Sequence, residues 1–315
     1  MDDLLQLSCW EKKESMSCSI SFLFFHYGKI PSYLAHAIEH VRIFNPEAEI
    51  QLITDSIKDT SMLDRFGVRK SRMEDYPSEG LDRFKQSYRH ISCFNEKFER
   101  FVLERWFVAE TIRQSAPDRI YVMQDSDVAV FGRVEKLLPY IPCIPISLSG
   151  LNPHFTFIRS DISVFLSFLL GYYSDEEKLA EAKRKFAIQK NSIDIFNLGE
   201  MQFLAEYLEL KRDMQMYNTD TLLGYIDCNI HRPEGFDFLT LRRRPRKKVV
   251  WKLEEGRAIP YFQRDKQLVK AFILHFQGPG KRVFHRFNSI DGPTSPLQVW
   301  WWNRIFQKCW LANLM

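Results

Sequence analysis

Short apolar runs and amphipathic stretches alternate over the first part of the chain. Residues 20–25 (ISFLFF) are apolar throughout, which predicts a buried strand. Pro31 and Ser32 then open a stretch with apolar residues at helical spacing, and residues 49–54 (EIQLIT) predict a second strand. A strand, a helix and a strand within about 35 residues form a βαβ unit. The predicted fold class is therefore α/β, with a mostly parallel sheet flanked by helices.

The same two periodicities predict the elements that follow. Helices are predicted at residues 95–114, 134–140, 160–170, 174–186 and 198–210, with Ser160 and Ser174 capping the third and fourth. Strands are predicted at residues 120–123, 144–148, 155–158 and 268–274, and residues 237–263 have an extended pattern. Residues 56–94 are charged and weakly periodic, so we interpret them as a variable excursion.

Length and composition suit a globular protein. The 315 residues are enough for one large α/β domain or two small ones. Hydrophobic residues make up 45% of the chain and no linker interrupts it. We therefore predict a single domain over residues 1–315, with its core at 18–290 and a C-terminal tail at 291–315. The net charge of +4 gives no reason to expect a specific nucleic-acid partner, and the basic run at residues 241–248 (LRRRPRKK) is interpreted as a solvated loop.

Cysteine usage and the terminal segments bear on where the protein works. The six cysteines are dispersed and lack the spacing of a zinc site, which indicates reduced thiols and an intracellular protein. The sequence MDDLLQLSCWEKKE is unlike a signal peptide, and no apolar run approaches the ~18 residues of a membrane span. We therefore expect a cytoplasmic location. The Trp-rich, basic residues 297–311 either pack on the domain or contact the inner face of a membrane.

Two aspartates stand at the end of a predicted core strand, in YVMQDSDVAVFG at residues 121–132. Asp125 and Asp127 are two residues apart, so on extended backbone their side chains point the same way. In open α/β sheets ligands bind beyond the carboxyl ends of strands, and close carboxylates repel unless a cation lies between them. Mg²⁺ or Mn²⁺ suits oxygen ligands of this kind. The alternative is a turn capped by two solvated aspartates.

A second group of candidate residues follows the last predicted strand, in LHFQGPGK at residues 274–281. His275 is expected at the edge of the sheet, where it could bind a metal ion. Gly278 permits close approach of the backbone to a ligand, and Lys281 could neutralise a phosphate. The alternative is a glycine-rich turn beside a histidine that is hydrogen-bonded within the fold.

Together the two groups carry a resemblance to a known family. DSD at residues 125–127, followed by HFQGPGK at residues 275–281, resembles the DxD and HxxGxxK motifs of GT-A glycosyltransferases, especially the family-8-like bacterial enzymes. The segment HYGKIPSYLAHAIEHVRIFNPEAEIQLITD is similar to their first βαβ unit, and the likeness extends over roughly residues 20–285. The resemblance implies a GT-A-like, Rossmann-type fold, a nucleotide-sugar donor and a divalent metal, usually Mn²⁺.

The resemblance also implies roles for individual residues. The expected metal ligands are Asp125, Asp127 and His275. The residues expected to contact the nucleotide sugar are His26, Tyr27, Gly28, Arg105, Asp125, Gly278 and Lys281. Arg282-Val283 stands where family 8 has Pro-Trp, so the resemblance does not fix retention or inversion at the sugar.

Arg105 lies in the middle of an apolar stripe on the helix predicted at residues 95–114. A buried guanidinium is costly unless it is paired. Arg105 either contacts the diphosphate or sugar, or pairs with an internal Asp or Glu, or extends to the helix edge. Four further polar residues at predicted element ends are candidates for handling an acceptor: His154, Glu200, Asp227 and Asn229. Of these, Asp227 is the first choice for a base.

The leading hypothesis is a metal-dependent hexosyltransferase of class EC 2.4. It would move a sugar from a nucleoside-diphosphate sugar, with UDP as the expected nucleotide, to a hydroxyl of a glycan, glycolipid or cell-surface polysaccharide. The residues expected to take part in catalysis are Asp227, Glu200 and Arg105. One alternative is a nucleotidyltransferase with the same metal site. Another is a non-catalytic protein that binds membrane or nucleic acid through the basic run and the Trp-rich tail.

Overall fold

The chain folds into two compact units. The computed structural model describes residues 19–58, 60–151, 153–189, 197–210, 213–230, 232, 234–241, 244–277, 281 and 303. Unit 1 comprises Met1–Ile30, Ala48–Asp125 and Ile141–Tyr217, and unit 2 comprises Pro31–Glu47, Ser126–Tyr140 and Asn218–Met315. The prediction of one domain over residues 1–315, with a core at 18–290, stays a prediction.

Unit 1 contains a seven-stranded sheet in the order β3-β2-β1-β4-β7-β6-β8. Its strands are β1 (Ile20–His26), β2 (Glu49–Thr54), β3 (Arg69–Arg72), β4 (Ile120–Gln124), β6 (Ile146–Leu148), β7 (Phe155–Ile158) and β8 (Met214–Met216). The pairs β1–β2, β1–β4, β2–β3 and β6–β8 are parallel, whereas β7 is antiparallel to both β4 and β6. The prediction of an α/β fold with a mostly parallel sheet flanked by helices is confirmed, and the sheet is mixed because β7 runs antiparallel to its neighbours.

The helices of unit 1 pack on alternate residues of these strands. They are α2 (Glu79–Ser87), α3 (Glu96–Ser115), α4 (Ser163–Tyr173), α5 (Glu176–Gln189) and α6 (Glu200–Leu210). The core that they share with the sheet includes Leu23 and Phe25 of β1, Tyr121 and Met123 of β4, and Trp106 of α3. Because successive strand residues face opposite sides, this alternation places one face of the sheet against the helices.

Three local predictions for unit 1 need correction. Residues 56–94 contain a sheet strand, β3 (RKSR), which has no apolar pattern because it is an edge strand. Helix α4 begins at Ser163, where Asp161 accepts a hydrogen bond from the backbone N–H, so Ser160 is not its cap. Helix α5 begins at Glu176, and the carboxylate of Asp175, rather than Ser174, accepts from its first N–H groups.

Unit 2 contains helix α1 (Ser32–Phe44) and a second sheet in the order β13-β14-β15-β10-β9. Its strands are β5 (Val128–Val130), β9 (Asp220–Thr221), β10 (Gly224–Ile226), β13 (Val249–Glu254), β14 (Arg257–Arg264) and β15 (Gln267–His275). Strand β5 pairs antiparallel with the end of β15. Gly132, shortly after β5, lies very close to the ring of Phe272. A Cβ atom on Gly132 would be 2.4 Å from this ring.

The basic run at residues 241–248 is not a simple solvated loop. Residues Arg244–Lys247 form β12, which pairs antiparallel with β11 (Phe238–Leu241) in a separate two-stranded sheet. Lys247 is 3% exposed. The prediction failed because a run of like charges does not reveal which of its members a fold turns inward.

No helix in the described part of the chain has the length and apolar character needed to cross a membrane.

Candidate metal-binding site

Asp127 and His275 lie side by side in unit 2. Val128 pairs with His275 across strands β5 and β15, and the backbone N–H of Phe276 donates to the Asp127 carbonyl at 2.9 Å. This register brings Asp127 Oδ1 to 3.6 Å from His275 Nε2, with both side chains almost fully buried. Lys281 Nζ lies 3.1 Å from the other oxygen of Asp127. Two residues 148 positions apart in the sequence (275 − 127) therefore meet at one sheet end, as the two motifs predict.

The hydrogen bonds of His275 decide which ring nitrogen faces Asp127. Its Nδ1 lies 2.7 Å from the carbonyl oxygen of Cys228. Because a carbonyl oxygen only accepts, Nδ1 must carry a proton. Nε2 then either carries a second proton, giving an imidazolium that pairs with Asp127, or offers its lone pair to a cation that the carboxylate shares. Burial favours the neutral acid, but His275 and Lys281 outweigh it and hold the pKa of Asp127 below its usual range.

This donor set fits a divalent ion. A carboxylate oxygen suits Mn²⁺ and Mg²⁺, an imidazole nitrogen suits first-row transition-metal ions, and the two ligand atoms already converge here. Asp125 ends unit 1 and Asp127 is the second residue of unit 2, so only Ser126 separates the two aspartates along the chain.

Asp125 is held within unit 1 by Arg105. The guanidinium donates to Asp125 Oδ1 at 2.9 Å and makes a two-point contact with the Glu200 carboxylate at 2.8 and 2.7 Å. The indole N–H of Trp106 also donates to Glu200, at 2.5 Å. Of the three interpretations of Arg105, the structure shows the pairing with internal acidic residues. A contact between Arg105 and a nucleotide-sugar donor stays a prediction. Arg105 lies on α3, which is buried on most of its circumference rather than along one stripe, and Phe98 is exposed.

The charges of this cluster do not cancel, because one guanidinium faces two carboxylates. Although burial opposes the charged form of Arg105, Glu200 and Asp125 raise the pKa of its guanidinium, which stays ionised. Burial raises the pKa of the Glu200 carboxyl to about 7, against the attraction of Arg105. Asp125 is the more exposed of the two acids, at 26% of its side chain against 8%. Glu200 therefore takes up a proton more readily than an ordinary glutamate does.

Asp227, the first choice for a base, is fully buried in unit 2. One of its oxygens lies 2.5 Å from Lys247 Nζ, and the other accepts from the backbone N–H of His275 at 3.1 Å. Its role as a base stays a prediction. Sequence reasoning missed Lys247, because nothing within LRRRPRKK distinguishes this lysine from its basic neighbours. The available signal for a buried cation was Asp227, because a buried carboxylate needs a positively charged partner.

The residues predicted near the nucleotide lie at the end of β1 in unit 1. His26 Nε2 is 3.0 Å from the Lys29 carbonyl, and the Tyr27 ring packs against two aromatic rings of α3. Gly28 has φ +86°, a conformation that favours glycine, and its N–H donates to Asp55 at 2.8 Å. Sequence reasoning did not select Asp55, although its place directly after β2 was the available signal.

The remaining candidates are dispersed. His154 is buried in unit 1 beside Ser149, and its carbonyl accepts from the Asp125 N–H. Asn229 donates to the side chain of Gln277 in unit 2. Gly278 lies outside the described residues, as does the Trp-rich tail at 297–311 apart from Asn303. Asn303 exchanges hydrogen bonds with the backbone of Trp251.

No protein-family model and no curated protein matches this sequence. Among solved structures, the chain is similar to the glycosyltransferase GlyE of Streptococcus pneumoniae TIGR4, with 13% identity over 64% of this chain and 45% of that one, and a TM-score of 0.35. This chain therefore spans less than half the length of GlyE. Mouse xyloside xylosyltransferase 1 matches with 10% identity over 62% and 84%, and a TM-score of 0.43.

A third solved structure covers more of the chain. The galactosyltransferase LgtC, in complex with donor and acceptor sugar analogs, matches with 10% identity over 88% of this chain and 98% of that one, and a TM-score of 0.41. At these identities and TM-scores, the function has to be argued from the residues of the chain itself.

Proposed function

We propose that this protein is a metal-dependent glycosyltransferase of the GT-A type. It would move a sugar from a nucleoside-diphosphate sugar, with UDP as the first nucleotide to test, to a hydroxyl of a glycan, glycolipid or cell-surface polysaccharide. The observation that carries the proposal is the 3.6 Å approach of Asp127 to His275, with the Lys281 ammonium against the same carboxylate. These residues come from the two motifs on which the resemblance to GT-A glycosyltransferases rests.

We infer that Asp125 completes the ligand set with Asp127 and His275. The side chains of all three can bind metal ions. Mn²⁺ is the first ion to test and Mg²⁺ the second, because the set combines carboxylates with an imidazole. The chemistry supplied by a bound ion at this site is neutralisation of the charge that develops on a leaving diphosphate.

The chain's own residues divide the remaining work. Lys281 places a positive charge beside Asp127, where it can bind a phosphate oxygen of the donor. Arg105 holds one oxygen of Asp125, which fixes the orientation of that carboxylate. Glu200 and Asp227 are the acids that sequence reasoning selects for the acceptor side, and both are engaged by a buried cation.

The cellular setting of the enzyme is a proposal as well. A cytoplasmic location agrees with the dispersed cysteines of the sequence, and Cys93 is a free thiol at an exposed position. An acceptor presented at the inner face of a membrane would bring the tail at residues 297–311 close to lipid.

A donor screen tests the proposed function. The purified chain is incubated with UDP-, GDP- and CMP-linked sugars, with and without Mn²⁺, and release of the nucleotide is measured. We expect turnover that needs the metal, that excess EDTA abolishes, and that Asp127→Ala removes. Asp82→Ala, at an exposed position of helix α2, is the matched control and should keep full activity.

The outcomes also separate the alternatives. Full activity of Asp127→Ala, or activity that survives EDTA, would contradict the metal-dependent mechanism. Release of pyrophosphate from a nucleoside triphosphate in place of sugar transfer would favour a nucleotidyltransferase. Salt-sensitive binding to anionic lipid or nucleic acid, with no turnover of any donor, would favour the non-catalytic alternative.

A further inference from the structure

Lys247 is a buried cation surrounded by acids and aromatic rings in unit 2. Its ammonium lies 2.5 Å from Asp227 Oδ1 and 2.5 Å from Glu234 Oε2, and its side chain is fully buried. The rings of Tyr225, Phe236 and Phe262 have their centroids 5.0 to 5.5 Å from the ammonium nitrogen. The ammonium can move little, because its partners enclose it and the rings attract it through their faces.

Asp227 connects this cation to the candidate metal ligand. Its second oxygen accepts from the backbone N–H of His275, and the carbonyl of the next residue, Cys228, accepts from the Nδ1 proton of the same histidine. Two consecutive residues thus hold both the backbone and the ring of His275. With Nδ1 occupied, the nitrogen that faces Asp127 is Nε2.

We propose that Lys247 and Asp227 are positioning residues that hold His275 in the tautomer and orientation needed to bind a divalent ion together with Asp127. The proposal rests on the metal site of the proposed function. Lys247 acts on the segment that contacts His275: its ammonium fixes the Asp227 carboxylate and donates to the Asn229 carbonyl oxygen at 3.3 Å, so residues 227–229 are held in place. Partners of this kind, behind a metal-ligating histidine, orient the ring and strengthen the ligand.

A burial argument supports a positioning role over a purely structural one. A buried ion pair contributes little net stability, and apolar residues of similar volume often replace it without loss. Four aromatic or aliphatic neighbours of Lys247 could accommodate such a replacement: Tyr225, Phe236, Phe262 and Ile230. The carboxylate of Asp227, however, also binds the backbone of the residue that carries the imidazole, which an apolar pair could not do.

A set of variants separates the hydrogen bond to His275 from the buried charge. Lys247→Met alone leaves Asp227 without its cation and should weaken Mn²⁺ binding by about 10–100-fold, as measured by the free-Mn²⁺ signal in electron paramagnetic resonance. The double variant Lys247→Met/Asp227→Asn keeps an acceptor for the His275 N–H without a buried charge and should recover most of the affinity. Lys247→Met/Asp227→Ala lacks the acceptor and should not recover.

Two controls keep this test sharp. Lys252→Met, on β13, removes a lysine of the same unit that lies outside the cluster and should leave Mn²⁺ affinity unchanged. Circular dichroism and thermal melting establish that each variant is folded before its affinity is compared. Equal Mn²⁺ affinity in the two double variants, or wild-type affinity in folded Lys247→Met, would overturn the proposal.

A measurement on the wild-type chain covers the case in which the variants do not fold. Nitrogen-15 NMR of the metal-free protein reports which ring nitrogen of His275 is protonated. We expect a proton on Nδ1, and a neutral ring protonated only on Nε2 would overturn the proposal whatever the variants do. If the wild type shows the Nδ1 proton but binds no Mn²⁺, the proposed function fails while the hydrogen bonds to His275 stand.

Discussion

Each unit contains a buried cation that contacts two carboxylates. In unit 1 the guanidinium of Arg105 contacts Glu200 and Asp125, and in unit 2 the ammonium of Lys247 contacts Asp227 and Glu234. The arginine uses its planar fork, with two parallel contacts to Glu200 and a third to Asp125. The lysine acts as a point charge that also contacts the Asn229 carbonyl oxygen and the faces of three aromatic rings.

The two clusters differ in how directly they reach a candidate metal ligand. Arg105 binds Asp125 itself, whereas Lys247 reaches His275 through the segment of residues 227–229. Arg105 therefore competes for an oxygen that an ion would use, while Lys247 leaves His275 Nε2 untouched. A cation that contacts a neighbour of the metal ligand, rather than the ligand itself, can orient that ligand without occupying its metal-binding atom.

The largest effect is expected from Arg105→Met. It leaves Glu200 buried and without its cation, and removing one partner of a buried pair costs about 3–5 kcal/mol. Urea unfolding measures the loss in free energy of unfolding. Arg184→Met, which breaks an exposed pair with Glu181, should cost less than about 1 kcal/mol. Equal losses in the two variants would mean that the Arg105 cluster does not stabilise unit 1.

A loss at the lower end of this range, about 3 kcal/mol, is expected from Lys247→Met, because Asp227 stays buried without its cation but loses a single contact rather than the two-point contact of Arg105 with Glu200. The double variant Lys247→Met/Asp227→Asn should be more stable than the single one, with an interaction energy of about 0.5–3 kcal/mol between the two sites. Additive losses in urea unfolding would show that Asp227 does not depend on Lys247.

The pH dependence of stability separates the clusters further. Burial raises the pKa of Glu200 to about 7, so the native state holds a proton that the unfolded chain releases near its ordinary pKa of about 4.5. The contribution of this group to stability is complete at low pH and is lost as pH rises through about 7. Between pH 5 and 8, Glu200→Gln should therefore lose less stability with rising pH than the wild type does. Identical slopes in urea unfolding would contradict the assignment.

The smallest effect is expected from Tyr225→Phe. The ring that faces Lys247 is kept, and only the hydrogen bond from the Tyr225 hydroxyl to Glu234 is removed. A loss of about 0.5–1.5 kcal/mol is the usual value for one hydrogen bond. A larger loss in thermal or urea unfolding would show that the hydroxyl, rather than the ring face, holds the Lys247 cluster together.

The same comparison shows what the sequence could and could not predict. Strands β1, β2, β4 and β15 were predictable because buried strands are continuous apolar runs, and the ends of β4 and β15 carry Asp125 and His275. Edge strand β3 was not predictable, because three of its four residues are basic and only Ser71 is buried. Arg105 could be recognised since it interrupts a row of apolar residues at helical spacing.

Lys247 could not be recognised in this way, because its neighbours in the chain are also basic. What distinguishes it is the strand alternation that turns it inward, together with partners 13 and 20 residues away along the chain. Long-range pairing of this kind leaves no local pattern. The approach of Asp127 to His275 was predictable only through two motifs taken together, since either alone has an ordinary turn as its alternative.

Mn²⁺ titration followed by electron paramagnetic resonance measures whether Asp127 and His275 bind a divalent ion. We predict that the wild-type chain removes a single Mn²⁺ ion from the free signal, and that Asp127→Asn, which keeps the size of the side chain but not its charge, loses this binding while it remains folded. Asp82→Asn, at the exposed position on α2, should bind as the wild type does. Unchanged Mn²⁺ binding in Asp127→Asn would contradict the account.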